Sequence, residues 1–460
     1  MDKIDLLRNR REKLLASGSE IRKQISAIVD ESSFVELDAY SFSRNDFYGE
    51  DAEGEGVVTG YATIEDVPVY VVAQNLKVLS GGVSTANCKK IVKCLNKASE
   101  TGYPVVYLLN SLGVQVGEGV NVLEGMAEVL AKATELKGSV TQISIVLGNL
   151  YGSFALLAAN SDFNYMLSNS CVAYASPLVI SAGSNKNLPA NEVGGAKSAK
   201  YNGLTTFEVD SVEDARESIA KLFTILPAYS EVFGDTADDF NRVSENLNAK
   251  VCPKCLVSAV FDDGKCVEMN KGFCPEVVTA IGRVGGISVA SIIFGGDEKG
   301  VELNLNSVLK IKDFAFFASE NSLPLVIFVN TLGVKTDLET SNSPILKEIC
   351  NLISALKTNV RVSVVYGKAV GLGYTLFASK SSGVDYSYAF ANAHVALFDG
   401  AVSAVHFGAV REDKIDELED RYADENADPI NAAKNGYIDN VIEPQFVRSY
   451  IISALQMLVR

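Results

Sequence analysis

Residues 360–380 read VRVSVVYGKAVGLGYTLFASK, and this stretch decides the fold. Val360–Tyr366 is apolar and β-branched, the pattern of a buried strand. Gly367–Gly373 follows with three glycines, and Tyr374–Ser379, free of Gly and Pro, is expected to open a helix. A strand that passes through a glycine turn into a helix leaves backbone N–H groups without partners at the helix start. With the helix dipole behind them, such donors suit a developing oxyanion. The ordinary alternative is that the glycines let a helix pack closely on a sheet.

The chain carries this pattern twice. Residues 140–154 read VTQISIVLGNLYGSF, with Gly148 and Gly152 spaced as Gly367 and Gly371 are. Upstream, PVVYLLNSLGV (104–114) matches PLVIFVNTLGV (324–334), and VVT at 57–59 matches VVT at 277–279. Both pairs lie 220 residues apart (104 to 324, 57 to 277), and the glycine turns 219 apart (152 to 371). A near-constant offset over three stations indicates tandem duplication of one folding unit.

At 460 residues and 47% hydrophobic, the chain can bury more than one large core. The boundaries expected from the sequence are 1–235 and 250–460, joined by a polar connector over 228–250. A formal net charge of −16 argues against nucleic-acid binding, which depends on neutralising phosphates. No run of about 18 apolar residues is present, so no spanning helix is expected. The charged first residues lack a signal-peptide core, and the eight dispersed Cys fit a reducing, cytoplasmic setting. Cys252 and Cys255 form a CxxC with Cys266 and Cys274 downstream. The return half lacks a second CxxC, so ordinary thiols are expected over a zinc site. With only His394 and His406 in the chain, a His-based metal site or a Ser–His–Asp triad is not expected.

In chain order, residues 2–30 place Leu6, Leu7, Leu14, Leu15, Ile21, Ile25 and Ile28 at helical spacing. Gly56–Ile64 and Val67–Ala73 read as strands about a Glu65-Asp66 turn. After the Gly81-Gly82 loop come a helix over Asn87–Ala98, a strand over Pro104–Leu109, a loop over Asn110–Gly119 and a helix to Leu136. A strand over Gln142–Leu147 then leads to the Gly148–Ser153 turn. The second unit spans Leu256–Gly408, followed by a charged helix over Arg411–Ala423. Strand, loop, helix in alternation is an α/β pattern with mostly parallel pairing, and its ligands sit in the loops after the strands.

Four further stretches are GVVTGYA (56–62), NEVGGAK (191–197), FDDG (261–264) and DPINAAKNGYID (428–439). In their order and spacing they resemble the biotin-dependent acyl-CoA carboxyltransferases of the crotonase superfamily, over nearly the whole chain. The resemblance implies two tandem crotonase-like (ββα superhelix) domains, the first for acyl-CoA and the second for carboxybiotin. It places one oxyanion hole at Gly152, Ser153 and Phe154, for the thioester enolate, and the other at Gly371, Leu372 and Gly373, for the biotin ureido oxygen. Gly81, Gly82, Lys89, Lys90, Gly113, Glu118, Gly119, Tyr374 and Thr375 are the expected substrate-binding positions. For the two lysines an ordinary solvated helix face is the alternative; for Asn110 and Asn330 the ordinary reading is loop hydrogen bonding. No metal is implied. Biotin would arrive on a separate carrier protein, because none of the five Met sits in the Met-Lys-Met attachment signature. A biotin carboxylase subunit and a homo-oligomer, dimer or hexamer, are implied as well.

The chain also departs from the family pattern. Asn110-Ser111-Leu112-Gly113-Val114-Gln115 stands where Asp-Ser-Gly-Gly-Ala-Arg is usual, Gly152-Ser153 where Gly-Gly is usual, and Thr375 where many members have Asp. Ala199 replaces a frequent His. A decarboxylase subunit, a catalytically silent structural paralogue and a plain crotonase hydratase therefore stand as alternatives.

Overall fold

The structure is a computed structural model that describes residues 2–41, 55–186, 188–231, 233–296, 299–399 and 415–459. His406, Gly408 and the expected helix start at Arg411 lie outside these residues. The chain divides into two compact units, Met1–Phe223 and Thr224–Arg460.

In the first unit the strands are β1 (Val35–Leu37), β2 (Val57–Ile64), β3 (Val67–Gln74), β4 (Val105–Ser111), β5 (Gln142–Tyr151), β6 (Phe163–Leu167), β7 (Cys171–Ala173) and β8 (Phe207–Val209). They form a sheet in the order β1-β2-β3-β4-β5-β6-β8, with β7 paired to β5. β1, β2 and β3 pair antiparallel, and every pairing from β3 onward is parallel. In the second unit the strands are β9 (Cys266–Met269), β10 (Val277–Val284), β11 (Ile287–Phe294), β12 (Val301–Leu303), β13 (Leu325–Val334), β14 (Arg361–Val370), β15 (Tyr386–Phe390), β16 (His394–Ala396) and β17 (Asn440–Ile442). The order β17-β15-β14-β13-β11-β10-β9, with β16 on β14 and β12 on β13, repeats the first sheet strand for strand apart from β12. Even β12 has a counterpart: its Leu303–Val334 pairing matches an isolated Val83–Val114 bridge in the first unit.

Register repeats as well. Tyr70 pairs with Val105 and Ala290 with Leu325; both residues shift by 220. The parallel ladder slips at Leu109/Ser111 in one unit and Val329/Thr331 in the other, which marks the same irregularity at Asn110 and Asn330. It has the same cause in both. An added Cβ on Gly148 would lie 3.0 Å from Asn110 Oδ1, and one on Gly367 would lie 2.3 Å from Asn330 Oδ1. The Asn side chain reaches across to the glycine of the next strand, and a larger residue there would collide with it.

Each hairpin is held by a carboxylate from the segment before it. Asp30 accepts the Glu65 and Asp66 N–H groups at 3.0 and 3.1 Å, and Arg216 pairs with Asp30 at 2.8 Å. Asp262 accepts the Gly285 and Gly286 N–H groups, both at 2.7 Å, and Arg448 pairs with it at 2.7 Å. Partial burial pushes the Asp30 carboxyl up. Hydrogen bonds from Thr63, Asp66 and Glu65 and the Arg216 charge outweigh that and hold it below its ordinary value. These anchors satisfy turn amides that face no strand, which is how Glu65-Asp66 turns without a glycine.

The helix after the first hairpin runs Thr85–Thr101, longer than expected. Ser84 caps its start by accepting the Asn87 N–H, and Gly102 ends it with φ +74°. Its face of Cys88, Ile91, Cys94, Leu95 and Ala98 is buried, and each larger aliphatic adds roughly 1.5–3 kcal/mol. In the second unit, Leu305–Glu320 occupies the same place, with a capping box from Asn304 and Ser307. The expected end of β5 at Leu147 and of the later strand at Tyr366 is corrected. Both strands continue past their first glycine, to Tyr151 and Val370, because β7 and β16 arrive to pair with the extensions.

Candidate active site

Gly152 follows β5 with φ +83°, a conformation that strains residues bearing a Cβ. Its N–H donates to the Ala173 carbonyl at 3.1 Å and is therefore engaged. Ser153 (φ −64°, ψ −24°) starts the helix Phe154–Asn160. Among the described residues, neither the Ser153 nor the Phe154 N–H meets an acceptor. The Phe154 ring is fully buried in the unit's core, so this residue offers its amide alone.

The second turn repeats the arrangement. Gly371 has φ +52°, and its N–H donates to Ala396 at 3.0 Å. Leu372 and Gly373 open the helix Leu372–Phe377, and their N–H groups likewise meet no acceptor among the described residues. The Gly152 and Gly371 amides are therefore engaged within the fold, and these glycines shape the turns. The donor pairs are Ser153/Phe154 and Leu372/Gly373. The helices have only seven and six residues, so their dipoles are small, and the electrophilic character rests on the amides themselves.

The space in front of the two pairs differs. A Cβ on Gly333 (φ +83°) would stand 3.1 Å from the Val370 carbonyl, 3.4 Å from the Gly373 nitrogen and 3.5 Å from the Leu372 nitrogen. Gly333 thus faces the second donor pair at contact distance. Its counterpart Gly113 (φ +129°), like Gly152, has nothing within 4 Å of where its Cβ would be. β13 runs on to Val334, past Gly333, whereas β4 stops at Ser111. Gly333 lies against the Leu372/Gly373 amides, whereas a Cβ on Gly113 would meet nothing.

Asn330 secures the second turn: its Nδ2 donates to Gly295 O at 2.8 Å, and its Oδ1 accepts the Lys368 N–H at 3.0 Å. Lys368 Nζ pairs with Asp399 at 2.6 Å. Tyr374 is half-buried, and burial raises its hydroxyl pKa. Thr375 is exposed and donates its hydroxyl to Gly371 O at 3.2 Å.

The structure places the other expected substrate-binding positions as follows. Lys90 is buried at 3% exposure and donates to Val57 O at 2.7 Å. Desolvation pulls its pKa down to about 8, against the opposing pull of Glu36, Asp38 and Glu55. It faces the core and not a phosphate. Lys310, 220 residues on, is buried in the same way, with three carbonyl acceptors at 2.6–3.3 Å. Lys89 is exposed, but it borders a 390 Å³ depression whose other walls include Glu118, Glu124 and Glu128, a poor environment for phosphates. Glu118 caps the Thr85–Thr101 helix by accepting the Thr85 N–H at 2.6 Å. The Gly81 and Gly82 amides donate to Val78 and Leu79 at 3.0 and 2.8 Å, and the Gly119 amide donates to Val116 at 3.2 Å. These glycines shape the loop and offer no free donors.

One feature escaped the sequence reading. A second 390 Å³ cavity lies at the ends of β3, β4 and β6, lined by Gln74, Asn110, Lys77, Ile21, Leu147 and Leu167. Gln74 Oε1 accepts the Asn110 N–H at 2.8 Å, while the buried Gln74 Nε2 has no partner among the described residues. The clue was available: Gln74 and Asn110 end adjacent parallel strands, where α/β folds bind ligands.

Cys252 and Cys255 are joined in a disulfide, which corrects the expectation of ordinary thiols there; Cys266 and Cys274 are free. Among the described residues no three His, Cys, Asp or Glu side chains converge as a metal site. Nor, among these residues, is any helix long and apolar enough to cross a membrane.

Comparison with known proteins gives a consistent result. The carboxyl transferase domain family matches residues 16–460. A propionyl-CoA carboxylase carboxyltransferase subunit from Haloferax mediterranei is 28% identical, covering 99% of this chain and 96% of its own. The methylmalonyl-CoA decarboxylase subunit alpha of Veillonella parvula is 29% identical over the same shares. The crystal structure of the transcarboxylase 12S hexamer with methylmalonyl-coenzyme A superposes with a TM-score of 0.92 at 25% identity, covering 99% of this chain and 95% of that one.

Proposed function

Since the chain belongs to the carboxyl transferase domain family, we propose that its two glycine turns are the two backbone oxyanion holes of a biotin-dependent acyl-CoA carboxyltransferase. The enzyme moves a carboxyl group between carboxybiotin and the α-carbon of an acyl-CoA. The observation that carries the assignment of sides is the unequal space at the turns. Beside the Ser153/Phe154 pair, added Cβ atoms on Gly113 and Gly152 would meet nothing within 4 Å, which leaves room for a thioester with its substituents. The Leu372/Gly373 pair, faced closely by Gly333, fits a flat ureido oxygen.

Carboxybiotin supplies the carboxyl group when it is bound. The Ser153 and Phe154 amides hold the thioester oxygen as negative charge grows on it during α-carbon deprotonation. The Leu372 and Gly373 amides hold the ureido oxygen, and Asn330 keeps the strand beneath them in register. The Gln74–Asn110 cavity, with amide side chains beside Leu147 and Leu167, fits the amide-bearing arm of CoA. The names of the relatives support the propionyl/methylmalonyl pair as substrate. Run in reverse, the same site serves a decarboxylase, as the Veillonella relative's name suggests. A biotin carboxyl carrier protein and a biotin carboxylase subunit complete the proposed partners.

We further propose that the N-terminal unit of one chain works with the C-terminal unit of another in a two-fold dimer. Ser153→Pro and Leu372→Pro test both ideas, because proline removes one amide donor and is tolerated at a helix start. Each variant should lose transfer by roughly a hundredfold or more, whereas Ser153→Ala, which keeps the amide, should stay active. Mixed and reassembled, the two proline variants should regain roughly a quarter of wild-type activity, because a mixed dimer has one site with both lesions and one with neither. Full activity in either proline variant would overturn the holes. Mixtures that stay inactive despite proven subunit exchange would overturn the shared site.

A further inference from the structure

Cys252-Pro253-Lys254-Cys255 belongs to neither turn and has no part in the reaction described above. Pro253 opens an eight-residue helix, Pro253–Val260, with Cys252 as its N-cap. The Cys252 sulfur accepts the Cys255 N–H at 3.1 Å and is bonded to the Cys255 sulfur. Both cysteines are half-buried, and Lys254 between them is exposed.

We propose that Cys252 and Cys255 form a reversible thiol–disulfide exchange site that reacts with small-molecule disulfides and dithiols. Three independent features carry this. The pair is already bridged, so the backbone holds the two sulfurs at bonding distance without rearrangement. When reduced, Cys252 keeps a backbone N–H aimed at its sulfur and a helix start beneath it, and Lys254 adds a nearby cation. These are the surroundings that favour a thiolate, the nucleophilic form. Finally, the neighbouring chemistry is selective. Burial pushes the Cys88 and Cys94 thiols up to about 12 and Cys266 and Cys274 up to about 11, which disfavours their thiolates, while the exposed Cys350 is a single free thiol that can hold only a mixed disulfide with a small thiol.

In the oxidising direction the Cys252 thiolate attacks one sulfur of the incoming disulfide. That S–S bond breaks, one thiolate leaves, and a mixed disulfide forms on Cys252. The Cys255 thiolate then attacks the Cys252 sulfur and expels the second thiolate. Two electrons pass from the cysteine pair to the small disulfide, and the two protons given up by the cysteines end on the released thiols. A dithiol reverses both steps.

The test uses the intact chain in glutathione buffers of graded oxidised-to-reduced ratio. Acid quenching, alkylation and peptide mass spectrometry then read each thiol. Cys252 and Cys255 should lose alkylation together, by more than tenfold at the oxidising end, and recover it fully on adding dithiothreitol to the folded protein. Cys88 and Cys94 should stay unlabelled before unfolding at every ratio. Cys252→Ser should leave Cys255 unable to form the bridge and able to hold only a mixed disulfide with glutathione. Two results would overturn the proposal. One is a pair that stays fully alkylatable at the most oxidising ratio. The other is a bridge that resists dithiothreitol until the chain is unfolded.

Discussion

Gly333 and Gly113 occupy the same station of the repeat, and both have positive φ, +83° and +129°. An alanine at either therefore takes on backbone strain, on the order of 1–3 kcal/mol. Only at Gly333 would the new methyl also press on Val370 O and the nitrogens of Leu372 and Gly373. The account predicts that Gly333→Ala lowers biotin-dependent transfer by at least about tenfold while leaving acyl-CoA affinity by calorimetry unchanged, with each donor worth about 3 kcal/mol. Gly113→Ala should cost far less transfer. Equal losses in the two variants would show that strain alone is at work and remove Gly333 from the site. This contrast was invisible in the sequence, where both positions read Leu-Gly-Val. The difference arises because β13 runs farther than β4, a matter of pairing and not of residue type. Lys90 was different. It is three residues from Asn87 and four from Cys94, both buried, so the helical phase already pointed it inward.

At the scale of elements, the duplication reaches farther than the sequence motifs. Asp30/Asp262 and Arg216/Arg448 are each 232 apart, while the central strands keep an offset of 220, so the first unit holds twelve more residues between β1 and β2. The sequence revealed the strand–turn–helix stations because Asn, Pro and Gly recur there in order. It hid the hairpin clamps because a lone Asp and a lone Arg, far apart in the chain, carry no pattern. It also hid the engagement of the Gly152 and Gly371 amides, whose acceptors, Ala173 and Ala396, come from strands that follow each turn. The two clamps differ in burial, and the difference sets their energies. Arg448 is 1% exposed and bonds Asp262 at 2.7 Å, whereas Arg216 and Asp30 are 30% and 24% exposed. Arg448→Met should therefore cost about 3–5 kcal/mol, because it removes a buried guanidinium that also bonds the Asp239 and Val260 carbonyls and leaves the Asp262 carboxylate without its counter-charge, and Arg216→Met about 1 kcal/mol or less. Chemical denaturation of the two variants measures this. Equal costs would contradict the burial argument.

At the scale of the whole molecule, one chain carries two copies of a fold, each ending one central strand, β5 or β14, in a glycine turn with two amides that meet no acceptor among the described residues. A hydratase needs one such turn and a positioned carboxylate; the proposed transfer between two carriers uses both turns. That is why the duplication, legible from a 220-residue offset, said more about function than any side chain did. The altered Asn110–Gln115 loop leaves both donor pairs intact, since they are backbone groups, and this favours an active enzyme over a silent subunit. The most direct measurement is to incubate the purified chain with methylmalonyl-CoA labelled in its free carboxyl group, with and without free biotin. The account predicts loss of the label and formation of propionyl-CoA that depend on biotin and saturate with it. No biotin-dependent loss of the carboxyl group, from this or shorter carboxyacyl-CoAs, would contradict it.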